Sequence, residues 1–211
     1  MLAYAICSVI GLIAGGWVAW KIQMPHPPRS IRLPIYACAA VGAVLGAKVP
    51  IWLSYGVHGY IIQGKSVMGG ILGAFLAINL YKKCSGKSGG FGGRFVIPLA
   101  VAIGFGKIGC YLHGCCGGTL WIPVQLVESI FQFTAAGCLY LFYRCTKRPD
   151  LLFAVYLLAY LVMRFIIEFW RVEPRVWAGL SVYQWLALVF IPVCILIIWR
   201  RTHDNVVIAG K

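Results

Sequence analysis

Seven stretches of nearly uninterrupted apolar residues dominate the chain: residues 1–20, 33–53, 67–81, 95–112, 124–143, 151–170 and 180–199. Short segments rich in Lys, Arg, Gly, Ser or Pro separate them. A helix needs about 20 residues to cross the hydrocarbon core of a bilayer, and only helices and closed barrels satisfy their own backbone there. The pattern predicts an all-α integral membrane protein of about seven transmembrane helices, forming one polytopic domain over residues 1–211. No cation precedes the first apolar run, so it lacks the basic leader of a signal peptide and reads as a first span. The second carries Gly42 and Gly46 four residues apart, a spacing that lets two helix backbones pack closely. The third is short and opens on Met68-Gly69-Gly70.

Composition agrees with the pattern. Apolar residues make up 61% of the chain and charged ones 11%, against about 25% charged in soluble domains. The formal charge of +14 comes from 19 Lys and Arg against 5 Asp and Glu. Nucleic acid is not the expected partner, because the cations sit mostly at the ends of apolar segments, where they orient a membrane protein and meet anionic headgroups. With seven spans, one set of loops and the C-terminus hold 13 of the 19 cations, among them Lys21, Arg29, Arg32, Lys82, Lys83, Arg144 and Arg148. The positive-inside rule then predicts an outside N-terminus and a cytoplasmic C-terminus.

One segment inside this apolar chain is unlike the rest. Residues 104–119 hold six glycines, three cysteines, Lys107 and His113. Irregular backbone survives at membrane depth only where protein buries it or where it lines a wet cavity, and ionisable groups there are functional by default. With the predicted topology, this segment shares its half of the membrane with Lys65-Ser66-Val67-Met68-Gly69-Gly70 and with the end of the sixth span. That end carries Arg164, Glu168 and Arg171, spaced four and three apart on one helical face. Two arginines against one glutamate leave a positive charge, and planar guanidinium groups suit phosphate oxygens. Glu128, with Gln125 three residues earlier, is the other candidate carboxylate. Ser181 is placed to cap the seventh span, with Gln184 three residues on.

The nine cysteines do not form a disulfide framework. Cys7, Cys38, Cys138 and Cys194 read as small packing residues, and Cys84 and Cys145 lie at the ends of spans. Cys110, Cys115 and Cys116 cluster, and admit three readings. With His113 they could hold a soft metal, although the spacing lacks the usual paired C-x₂-C form. Cys110 and Cys115 could form a disulfide in an oxidising compartment. One thiol with His113 could act as an activated nucleophile. No metal and no cofactor is the expectation carried forward.

Five pieces together resemble the bacterial phosphatidylglycerol–prolipoprotein diacylglyceryl transferase family. They are Gly-Lys-Ser-Val-Met-Gly-Gly at 64–70, Gly-Lys-Ile-Gly-Cys at 106–110 followed by His113-Gly114, Pro-Val-Gln-Leu-Val-Glu at 123–128, Arg-Phe-Ile-Ile-Glu-Phe-Trp-Arg at 164–171, and Gly-Leu-Ser-Val-Tyr-Gln at 179–184. The resemblance runs in order through residues 1–200. It implies a seven-span enzyme of the bacterial inner membrane with its site toward the outer leaflet. Such an enzyme moves the diacylglyceryl group of phosphatidylglycerol onto the cysteine thiol of a lipoprotein precursor and releases glycerol phosphate. It implies that Arg164 and Arg171 act catalytically on the phospholipid; the residues themselves add Lys107 as a further phosphate-neutralising charge and Glu168 as the group that orients the arginines. It matches Tyr4 to a family tyrosine on the first span, and the substrate site is expected to draw on Tyr4, Lys65, Ser66, Met68, Gly69, Gly70, Gly109, Cys110, Cys115, Gln125, Glu128, Ser181 and Gln184.

The chain departs from the family pattern at four positions. Met68 replaces a histidine, Lys107 an arginine, Cys110 an asparagine and Cys115 an acid. Methionine cannot act as a base, so His113 becomes the expected base on the acceptor. Two other outcomes follow from the same departures: a thiol enzyme using Cys110, Cys115 or Cys116, and a lipid-binding membrane protein without catalysis.

Overall fold

A computed structural model describes residues 2–22, 24, 29–56, 65–86, 92–118 and 122–209, with side chains to residue 203. It is helical almost throughout. Seven helices among the described residues are long and apolar enough to cross a membrane, as the hydrophobic pattern predicts. In chain order the elements are α1 (Leu2–Ile22), α2 (Arg29–Gly46), α3 (Val49–Tyr55), α4 (Val67–Ser85), α5 (Gly93–His113), α6 (Val124–Thr146) and α7 (Pro149–Ile167). A 3₁₀ turn (Glu168–Trp170), strands β1 (Arg175–Trp177) and β2 (Leu180–Ser181), and α8 (Val182–Ala209) complete the chain. Residues 57–64, 87–91 and 119–121 of the expected connections, Thr119 among them, lie outside the described residues.

The backbone gathers into two compact units. The first comprises residues 1–25, 90–172 and 187–211. In it α5 is the hub, packed on α1, α6 and α7. The α1–α5 contact is close because glycines face backbone: a Cβ on Gly11 would lie 2.8 Å from the Ala102 carbonyl oxygen. Helix α7 starts with Pro149 in its first turn, where the missing N–H costs nothing. It is the most deeply buried span. Arg148 ties its start to the last turns of the chain, donating to the Arg201 carbonyl at 2.8 Å.

The second unit comprises residues 26–89 and 173–186. Its helices α2 and α4 meet backbone to backbone. A Cβ on Gly73 would stand 2.1 Å from the Gly42 carbonyl oxygen, and one on Gly46 2.4 Å from that of Gly69. The spacing expected to allow close packing does so. The second apolar stretch is one span by length but not one helix. It breaks at Ala47–Lys48, just before Pro50 in the first turn of α3. Ile51 donates to Lys48 rather than to Ala47, and the freed Ala47 carbonyl accepts from Ser66 N at 2.9 Å. Ser66 then caps α4, its hydroxyl accepting from Gly69 N at 3.1 Å.

The pattern of residues 173–186 predicts no strands, yet they form a hairpin. Ala178 and Gly179 both have positive φ, 49° and 70°, as a two-residue hairpin turn of the primed type requires. Ser181 caps α8 as expected: Gln184 N donates to its hydroxyl at 3.3 Å. The Gln184 side chain answers by accepting from Ser181 N at 3.0 Å, which completes a capping box. It also accepts from Arg175 at 2.8 Å.

Candidate active site

The site is built in the first unit from the end of α5, the start of α6, the end of α7 and the loop after α5. Helix α5 stops where Gly114 turns left-handed, φ 74°. Cys115 N then donates back to the Cys110 carbonyl at 3.1 Å. This helix-ending turn, of the kind only glycine adopts cheaply, folds residues 115–118 back over the last turn of α5. Cys116 follows with φ 58°, an uncommon backbone for a residue with a Cβ, and one that concentrates at functional sites.

Three contacts hold the returning loop. Gln125 in the first turn of α6 donates to the Cys115 carbonyl at 2.9 Å. Arg171 donates to the Cys116 carbonyl at 3.0 Å. Gly118 pairs with Arg171 as an isolated bridge. It is pressed so closely that a Cβ would lie 2.7 Å from the Trp170 carbonyl oxygen.

Beneath the loop is a buried charge cluster. Glu128 is fully buried and forms ion pairs with three cations. Lys107 of α5 pairs with one of its oxygens. Arg164 of α7 meets the other at 2.6 Å, and Arg171 approaches the same oxygen at 3.4 Å. Arg164 also reaches Glu168 at 3.1 Å, and Arg171 lies 3.7 Å from it. Arg164 and Glu168 thus meet one helical turn apart, as read from the sequence; Arg171, expected on the same helix, lies instead just past the 3₁₀ turn, in extended backbone, and reaches Glu168 from there. What sequence periodicity does not show is that Glu128, from another helix, is the hub. Three cations face two carboxylates, so the cluster carries one net positive charge in a setting where an uncompensated charge costs several kcal/mol.

The polar track continues along α6. Ser129 donates to the Gly104 carbonyl at 2.9 Å. One turn deeper, the side chain of Gln132, fully buried, accepts from Tyr156 at 2.8 Å. Neither was expected from the sequence. Their signal was available: Gln125, Glu128, Ser129 and Gln132 recur at three and four residues in an otherwise apolar span. Between α6 and α7 runs an apolar groove of about 650 Å³, lined by Val127, Phe131, Val162, Ile166, Ile167 and Trp170 among others. Val127 and Ile167 are the sequence neighbours of Glu128 and Glu168.

The thiols of Cys110, Cys115 and Cys116 all lie within 4.8 Å of one another. Outside the spans, the Cys116 thiol is pulled down to about 5, by a hydrogen bond from Cys110 first and then by Lys107 and Arg171. Burial pushes Cys115 up. All three are free thiols. His113, the expected base, is exposed, and its ring meets that of Tyr4 edge-on at 6.3 Å. Gly109 lies against the start of α1, where a Cβ would be 2.9 Å from that of Cys7.

Lys65, Ser66, Met68, Gly69 and Gly70 belong to the second unit, as do Ser181 and Gln184. Lys65 is exposed and Met68 buried. Ser66, Ser181 and Gln184 have structural work as caps.

Comparison with known proteins identifies the family. The family model described as prolipoprotein diacylglyceryl transferase matches residues 1–200. The chain belongs to that family. Among curated relatives, the phosphatidylglycerol–prolipoprotein diacylglyceryl transferase of Clostridium tetani is 33% identical, over 56% of this chain and 54% of that protein. The Ehrlichia ruminantium (strain Welgevonden) enzyme of the same name is 24% identical over 95% of this chain and 93% of its own. That of Pseudomonas paraeruginosa is 26% identical over 88% and 81%. The chain thus spans about half the length of the first relative and most of the other two. No solved structure matches it significantly. The family assignment makes this a multi-pass membrane protein of a transferase family.

Proposed function

We propose that the protein transfers a diacylglyceryl group from phosphatidylglycerol to an acceptor thiol, that of a prolipoprotein cysteine. The relatives named for that reaction support the reading. The observation that carries it is the charge imbalance of the buried cluster. Lys107, Arg164 and Arg171 outnumber Glu128 and Glu168, and a bound phosphate diester restores neutrality. In the reaction the phosphate departs from a glycerol carbon, and preorganised cations that stabilise its growing charge lower the barrier. Glu168 and Glu128 hold the two guanidinium groups in place. The apolar groove between α6 and α7 has the character and the position to take an acyl chain while the headgroup enters the cluster. The excess of cations on one set of loops supports a site on the outer leaflet of a bacterial inner membrane.

The test is reconstitution with phosphatidylglycerol labelled in its headgroup and a lipoprotein-precursor peptide. Release of labelled glycerol phosphate with a thioether on the peptide cysteine is the expected result. Donor lipid bound without any release, across thiol and hydroxyl acceptors, would replace this reading with that of a lipid-binding protein.

A further inference from the structure

An acceptor thiol must lose its proton before it attacks. The family histidine that could take it is Met68 here, and His113 sits exposed against Tyr4. The end of α5 offers another solution. Three cysteine sulfurs from one turn and its returning loop lie within 4.8 Å of one another. A tetrahedral ion at ~2.3 Å from each sulfur sets them about 3.8 Å apart, so closing by roughly an ångström places all three on one ion. Two of them, Cys115 and Cys116, stand on a backbone folded back by Gly114 and held by Gln125 and Arg171. Partners that fix ligand-bearing backbone in this way are what a metal site needs around it.

We propose that Cys110, Cys115 and Cys116 form a three-thiolate site for a thiophilic divalent cation of the zinc type, whose fourth position receives the acceptor thiol. Three protein ligands and one open position is the arrangement of catalytic rather than structural zinc. A thiol bound there is deprotonated outright, which removes the need for a histidine at position 68. The step balances without an oxidant or reductant. The acceptor S–H gives its proton to solvent on binding. The metal-held thiolate attacks the glycerol carbon, and the C–O bond breaks with its electron pair passing to the phosphate oxygen. Glycerol phosphate leaves through the cation cluster, and the thioether, a weaker ligand, dissociates. The proposal rests on the transferase reading for its chemistry, but not for the metal site itself.

The experiment uses the purified full-length protein, stripped with a chelator under reducing conditions and titrated with Zn²⁺ and with Co²⁺. One equivalent should bind. The cobalt form should show the sulfur-to-metal charge-transfer and tetrahedral ligand-field absorption of a thiolate site. Cys110→Ser and Cys116→Ser should each weaken binding by more than the ~10–100-fold that losing a supporting partner costs. Cys138→Ser, at an exposed cysteine elsewhere on α6, should leave it unchanged. Helix content and donor-lipid binding, measured on every variant, separate loss of the site from loss of the fold. No stoichiometric metal, cobalt spectra without thiolate bands, equal binding by the Cys116→Ser protein, or a Cys110–Cys115 disulfide in the protein as isolated would each overturn the site. Turnover by the stripped protein at the full rate would overturn the activation role while leaving the transferase reading intact. Metal bound as described, with no glycerol phosphate released from any donor, would leave the site standing and remove the transferase reading together with the activation role.

Discussion

At the residue scale, the clamp depends on geometry as well as charge. Arg171 donates to Glu128 and to the Cys116 carbonyl and lies 3.7 Å from Glu168; its planar fork can also present two parallel donors to a phosphate, a fixed geometry that an ammonium lacks. Arg171→Lys should lower donor affinity or turnover by about tenfold or more, the loss of a bidentate charge-assisted contact. Equal kinetics for the lysine protein, measured as glycerol phosphate release over a range of lipid concentrations, would refute the fork. His113 is the residue on which sequence and geometry part. With metal activation of the acceptor, His113→Asn should reduce turnover only a few-fold. A fall of about 10²–10⁴-fold, the usual contribution of a general base, with donor binding kept, would return that role to His113.

At the scale of elements, the second unit depends on two helices touching through backbone. Gly73 faces Gly42 with no room for a Cβ. Gly73→Ala should therefore push α2 and α4 apart and cost about 1–3 kcal/mol, the usual range for overpacking. Thermal unfolding in detergent reads this, and Gly137→Ala, with open space around it, is the matched control. An unchanged midpoint for Gly73→Ala would show that the helices are not so close. The same helix ends explain why some expected site residues acquire structural roles. Ser66 and the Ser181–Gln184 pair satisfy helix N–H groups, work that any N-terminus requires.

For the whole molecule, orientation is the property to test. The loops near residues 21–32, 82–94 and 144–150 and the C-terminus carry most of the cations and should lie in the cytoplasm. A cysteine placed at Gly86 in a background lacking exposed thiols should resist membrane-impermeant labelling from outside. Rapid labelling there would invert the topology and move the charge cluster to the cytoplasmic side.

The sequence by itself determined the number of spans, because length and apolarity are all that a bilayer asks of a helix. It also determined that Arg164 and Glu168 would meet, since residues four apart on a helical turn are neighbours; Arg171 joins them from extended backbone just past that turn. The close pass at Gly42 and Gly46 was legible for the same local reason. Only the tertiary structure decided the rest. That Glu128 joins Lys107 of α5 to two arginines of the α7 segment is a contact among three helices, and no periodicity within one helix specifies its partner. The break before Pro50 and the hairpin at Ala178–Gly179 depended on which carbonyls and N–H groups found partners, which hydropathy does not record. The convergence of Cys110, Cys115 and Cys116 depended on one left-handed glycine that reverses the chain. Spacing alone left those thiols open to three readings; the fold brings their sulfurs to one place.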